Sequence, residues 1–188
     1  WPAPYKNLAE SYLRQGELQP AEKVFQRAIE RTARNVGAYQ ALSYLKQRNG
    51  DRAAAISLLE RALELKPDFW PAANDLAFLL AHEQADSEEL GRALKLARQA
   101  HNLAPEEAAV LDTLGWVEYR RGNLSEAEQW LRQALAGGVG GAEVSYHMGM
   151  VSLDLGQKEQ ARQYLQQAVE AGMEFAGKEK ARQALEKI

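Results

Sequence analysis

The sequence predicts an all-α chain: five consecutive helix pairs stacked into a curved α-α solenoid and closed by one capping helix. Three observations predict it. Alanines recur in register along the chain, glycines fall at fixed places between them, and the apolar residues inside each interval follow helical spacing. Ala28, Ala62, Ala100, Ala134 and Ala168 lie 34, 38, 34 and 34 residues apart, and seven residues before each stands another alanine: Ala21, Ala55, Ala93, Ala127 and Ala161. Self-similarity at this period marks a repeat architecture, in which one helix pair leaves an apolar side that only its neighbours can cover.

The first unit, about 2–35, places Tyr5, Leu8, Ala9 and Tyr12 on one helix and Ala21, Val24, Phe25 and Ala28 on the next. Gly16 marks the turn between them, and Pro20 suits a first helical turn, where no N–H donor is missed. The second unit, 36–69, repeats this with Gly50, and Pro67 ends its second helix. The third, 70–107, lacks the turn glycine and is four residues longer, the extra length falling around Glu83 to Glu89; Pro105 ends it. The fourth, 108–141, turns at Gly122, and Gly137, Gly138, Gly140 and Gly141 replace its closing proline, which reads as a permissive hinge. The fifth, 142–175, turns at Gly156, and 176–188 carries Ala181, Ala184, Leu185 and Ile188 among charged and amide residues, the pattern of a cap with one apolar stripe and one wet face. The paired alanines have a mechanical reading: a methyl group at a helix crossing lets two backbones approach, and a larger side chain wedges them apart. The chain opens at Trp1 without methionine, and Trp1-Pro2-Ala3 echoes Trp70-Pro71-Ala72, which is preceded by a whole unit, so a fragment of a longer chain is expected.

Composition removes several functions. Lys+Arg 23 against Asp+Glu 26 leaves no basic field to collect phosphate backbones, so nucleic acid is not expected as a partner. Without cysteine there is no disulfide, thiolate nucleophile or thiolate metal site, and no apolar run reaches the ~20 residues of a membrane span, so a soluble chain with no direct membrane insertion is expected. His82, His101 and His147 fall in different helices without metal-ligand spacing, and the glycine cluster lacks the lysine and strand of a phosphate loop. Asp112 and Glu143 could approach across neighbouring units, yet no nucleophile accompanies them. No catalytic residue, metal or cofactor is expected, and the chain is not read as an enzyme.

The 34-residue period, with Tyr or Leu, then Leu, a small residue, a later glycine, Ala-x-x-x-Phe/Leu, Ala and Pro, resembles the tetratricopeptide repeat family over residues 2–175. Units one, four and five depart from it in lacking the terminal proline. The resemblance implies a right-handed superhelix that binds proteins or peptides in its concave groove. The segments Asn74-Asp75-Leu76-Ala77-Phe78 and Leu111-Asp112-Thr113-Leu114-Gly115-Trp116 are similar to bacterial tetratricopeptide proteins, several of them envelope-associated in exopolysaccharide or pilus systems, which implies a bacterial cytoplasmic or periplasmic setting. The first helix of each unit then offers the groove, with Tyr44, Arg48, Asn74, Phe78, His82, Asp112, Trp116, Tyr119, Arg120, Tyr146 and Met150 as its contact residues. Aromatic residues flanked by arginines are the mix that binding hot spots favour, although helical aromatic stripes also pack between units. Capture of a chaperone tail by a lysine and asparagine clamp is disfavoured, because Glu10 stands four residues after Lys6 where that clamp has its asparagine. Two other readings stay open: a substrate-recruiting arm of a larger enzyme, and self-association through Trp1, Tyr5 and Leu13.

Overall fold

The computed structural model describes residues 3–137, 141–172, 175 and 177–188, without the side chains of residues 3, 4, 6 and 10. Among the described residues the chain forms eleven α-helices and no strand. It divides into two compact units, residues 1–79 and 80–188. Unit 1 holds α1 (Ala3–Arg14), α2 (Leu18–Arg31), α3 (Val36–Arg48), α4 (Arg52–Leu65) and most of α5 (Trp70–Leu80). Unit 2 holds α6 (Ser87–Leu103), α7 (Ala108–Arg120), α8 (Leu124–Ala136), α9 (Ala142–Asp154), α10 (Lys158–Glu170) and α11 (Lys178–Leu185).

Within unit 1, α1 packs on α2, α2 on α3 and α3 on α4; within unit 2 each helix from α6 to α11 packs on the next, and α7 also meets α9, as α9 meets α11. All ten register alanines are at most 1% exposed. Phe25, Val24, Leu42 and Leu45 fill the space beside Ala9 and Ala21 in unit 1. Leu111, Leu131, Val144, Met148 and Val151 do so around Ala127 and Ala134 in unit 2.

Four turns share one construction. Gly16, Gly50, Gly122 and Gly156 have φ of 75°, 79°, 83° and 76°, a left-handed conformation that costs glycine no Cβ clash. The residue after each glycine donates its N–H to the carbonyl five residues back (Glu17 to Tyr12, Asp51 to Lys46, Asn123 to Glu118, Gln157 to Ser152, all 2.9 Å), so orphan carbonyls at the helix end are satisfied. The third pair, lacking that glycine, turns differently: Asp86 accepts from the N–H groups of Glu88 and Glu89, and the Glu89 carboxylate reaches back to the Asp86 N–H, a capping box that starts α6. The four additional residues are the length this cap uses. Of the glycine run, 138–140 lies outside the described residues; Gly137 caps α8 and Gly141 precedes α9.

Two glycines inside helices are there for lack of room. A Cβ on Gly115 would lie 2.6 Å from Leu131 Cγ, and one on Gly149 2.7 Å from Leu165 Cγ and 3.2 Å from its backbone nitrogen. In the same register Ala9, Ser43 and Ala77 stand in the earlier pairs. The C-terminal helix α11 buries Ala181 and Ala184 against Leu165, Ala168 and Tyr146, leaving Glu179, Lys180, Arg182 and Gln183 exposed.

Replacing either of two buried register alanines, Ala134→Leu or Ala168→Leu, is expected to destabilise the chain by about 1–3 kcal/mol through overpacking. Ala136→Leu, on the exposed side of α8, is expected to change stability by no more than about 0.5 kcal/mol. Urea denaturation of the three variants checks both.

Candidate functional site

The residues expected to form a binding face lie on the first helices of the pairs, except His82, which was expected in a helix and instead stands just past the end of α5 in the connection to α6; the two units present them differently. In unit 1, α3 carries Tyr44 and Arg48 one turn apart, with the Arg48 guanidinium 5.9 Å from the Tyr44 ring centroid. Tyr44 is 53% exposed, the most open large hydrophobic side chain among the described residues. One turn earlier, the Gln40 amide donates to Asp75 Oδ2 of α5 at 2.8 Å. Burial, opposed by the hydrogen bonds from Gln40 and Asn74, raises the Asp75 carboxyl above its ordinary range. Asn74 is buried, and its Oδ1 has no hydrogen-bond partner among the described residues. Phe78, on the same helix, is half-buried.

Unit 2 has a denser arrangement. His147 Nδ1 donates to Asp112 Oδ1 at 2.8 Å, and both residues are buried. This bond joins α9 to α7 across 35 residues, the same separation as Gln40 to Asp75. Successive first helices are thus tied by a polar rung one residue longer than the repeat. The Trp116 ring stacks on His147 at 4.1 Å between centroids and has Tyr119 at 5.1 Å and Tyr146 at 5.9 Å. Arg120 sits 5.9 Å from the Trp116 ring and donates to the carbonyls of Ala81 at 3.1 Å and Glu83 at 2.9 Å, tying the connection before α6 to α7. His82 accepts from the Gln84 N–H at Nδ1, which leaves its Nε2–H for Glu89 at 3.1 Å.

Burial raises the Tyr119 hydroxyl above the usual phenol range, and its hydrogen bond to Asp154 adds to the effect. Burial likewise raises Tyr146, whose ring lies against Gly177 and Phe175. Burial also raises the Glu143 carboxyl; His147 opposes the shift and the Asp112 carboxylate adds to it, so the two acids do approach across the helix pairs.

Placement therefore separates the expected contact residues. Tyr44 and Arg48 are open to solvent; Phe78, His82, Trp116, Tyr119, Arg120 and Met150 are half-buried; Asn74, Asp112 and Tyr146 are buried. Trp116 and Met150 also pack against the cluster that holds α11, so they serve packing whatever else they do. Side chains at Lys6 and Glu10, which bear on the chaperone-tail clamp, and residue Trp1 lie outside the described residues. Asp75 was not among the sequence-chosen residues, and its pairing with Gln40 could have been sought as a 35-residue polar spacing. No group of three or more His, Asp or Glu residues able to hold a metal ion occurs among the described residues, and no helix there is long and apolar enough to cross a membrane.

Two family models described as tetratricopeptide repeat match residues 5–38 and 108–138, and 36–69 and 142–171. The chain belongs to the tetratricopeptide repeat family. This tetratricopeptide repeat chain is 30% identical over 141 residues, 75% of its length, to the TPR repeat-containing protein PA4667 of Pseudomonas aeruginosa. It is 23% identical over 128 residues, 68% of its length, to the protein O-mannosyl-transferase TMTC1 of Mus musculus. It spans 23% and 14% of the lengths of those two relatives. Among solved structures it is similar to TTC0263, a thermophilic TPR protein of Thermus thermophilus, with a TM-score of 0.78 at 20% identity over 97% of this chain and 98% of that one. PilW, a type IV pilus biogenesis factor, gives a TM-score of 0.76 at 17% identity over 98% and 86% of the two chains. These likenesses show the α-α solenoid fold. Tetratricopeptide repeats are in general non-catalytic modules for protein interaction.

Glu143 yields a pH prediction. Its raised carboxyl binds a proton more readily folded than unfolded, so its stabilising contribution is full below the unfolded glutamate pKa and is lost as pH rises through the folded value. Glu143→Gln is expected to match the wild type in acid and to exceed it in urea midpoint at pH 7, with the difference opening across the carboxyl range.

Proposed function

We propose that the chain is a non-catalytic scaffold that binds a peptide or protein segment along the face formed by the first helix of each pair. In this reading five pairs, about 2–35, 36–69, 70–107, 108–141 and 142–175, with a cap at 176–188, make one domain whose concave groove is that face. One observation carries it. In the register of Tyr44, Phe78, Trp116 and Met150, large apolar side chains keep solvent contact in the second to fifth pairs, whereas two residues earlier Leu42, Leu76, Leu114 and Met148 are at most 5% exposed. Apolar surface retained in a row is the signature of a contact face. Likeness to a pilus biogenesis factor supports a role in a bacterial envelope or pilus assembly system, in the periplasm or cytoplasm.

A second reading is a recruiting arm of a larger enzyme, favoured by the similarity to a protein named as an O-mannosyl-transferase. In it the same face would hold the enzyme's protein substrate. Self-association by the first helices is the remaining alternative.

The test is site-specific photo-crosslinking in a lysate of the source organism, with a benzoylphenylalanine at position 44 or at Gln129, which is exposed on α8. A defined partner captured from position 44 alone supports the first-helix face. Equal capture from both positions moves the binding surface elsewhere.

A further inference from the structure

The register that relates the pairs also compares their charges. Four residues after the aromatic row come Arg48, His82, Arg120 and Asp154, and Arg14 holds the same place in the first pair. In unit 2 these groups are occupied: His82 bonds Glu89, Arg120 bonds the Ala81 and Glu83 carbonyls, and Asp154 bonds the Tyr119 hydroxyl. Arg14 and Arg48 of unit 1 are exposed and form no hydrogen bond or ion pair with the described residues. The one contact of Arg48 there is its approach to Tyr44. Of the acids that reach α3, Asp75 is half-buried and turned to Gln40, and Glu22 pairs with Lys46 at 2.7 Å. The first-helix face of unit 1 thus presents an open tyrosine ring with the Arg48 guanidinium beside it, which no acid among the described residues neutralises.

We propose that this face takes an extended acidic segment of another protein, with an aspartate or glutamate side chain paired to Arg48 and an adjacent apolar side chain laid on Tyr44. The inference rests on the first-helix face being the binding face and adds the chemistry of the partner. Charge complementarity selects the acid. A guanidinium offers a planar fork of donors that a carboxylate accepts in two parallel bonds, and Arg48, already set beside a ring, loses less freedom on binding than an unsupported side chain does. A basic segment would meet a like charge at Arg48.

The experiment uses the whole chain and three labelled peptides, acetylated and amidated at their ends, of alternating Asp and Leu, Lys and Leu, or Ser and Leu, read by fluorescence anisotropy. The Asp/Leu peptide is expected to bind at least about tenfold more tightly than the other two, as one charge-assisted contact implies, and to weaken with added salt. Arg48→Gln and Tyr44→Ala, both at exposed positions that leave the core untouched, are each expected to cost about tenfold for that peptide, and Arg48→Glu to abolish the preference. Equal binding of the Asp/Leu and Ser/Leu peptides, or no change with Arg48→Gln, overturns the acidic-partner proposal. If the Lys/Leu peptide binds best and Tyr44→Ala abolishes it, the face is correct and the charge assignment fails. If every peptide's binding survives Tyr44→Ala, or none binds, the first-helix face fails with it.

Discussion

The fold rests on one short-range condition: two helices of a pair, and each pair and its neighbour, must cross closely enough that only a methyl group fits between their backbones. All ten register alanines meet it at 0–1% exposure. The close crossing sets the rotation of each helix about its axis, and rotation decides which side chains share a face. Tyr44 and Phe78 in unit 1, and Trp116 and Met150 in unit 2, recur at one register of the first helices. The left-handed glycines, with their carbonyl-saving N–H bonds, are the companion condition in four of the pairs, and the third meets it with a longer connection and a capping box.

On that frame the polar groups do two kinds of work. Gln40 with Asp75, and Asp112 with His147, tie successive first helices, and a hydrogen bond between two named partners tolerates few other registers. Beside these rungs the exposed charges differ between the units. Unit 1 sets Arg48 by an open tyrosine, whereas unit 2 turns Arg120 and His82 upon its own connection and pairs Asp112 with the histidine stacked on Trp116. One repeat pattern thus offers chemically distinct faces.

The repeating steric conditions were legible in the sequence. An alanine or a turn glycine is required by its own position, so five or four copies in step reveal it without knowledge of any partner. The family resemblance, the helix ends before Pro67 and Pro105, and the altered third pair follow from the same kind of signal. The contact face was harder to read, because solvent exposure depends on what lies one helix away. Tyr146 shares a register with Gln40, yet it is buried, since Gly177 brings the C-terminal segment against its ring. Asp112 looked like an open polar contact and is instead one end of a rung to His147. Such outcomes need the relative rotation of two helices 35 residues apart, and no local pattern encodes that.

Gly115 and Gly149 make the helix pairs unequal as building blocks. Each leaves a notch that the leucine of its own second helix, Leu131 or Leu165, fills completely. A first helix bearing Ser43 or Ala77 would bring extra atoms into that notch, so recombination between a first helix and a foreign second helix breaks the fit even where both sequences obey the repeat. Exchange of whole pairs keeps each notch with its leucine. The chain's history of duplication is therefore easier to imagine, and its redesign easier to carry out, in cuts made between pairs than in cuts made at the glycine turns within them.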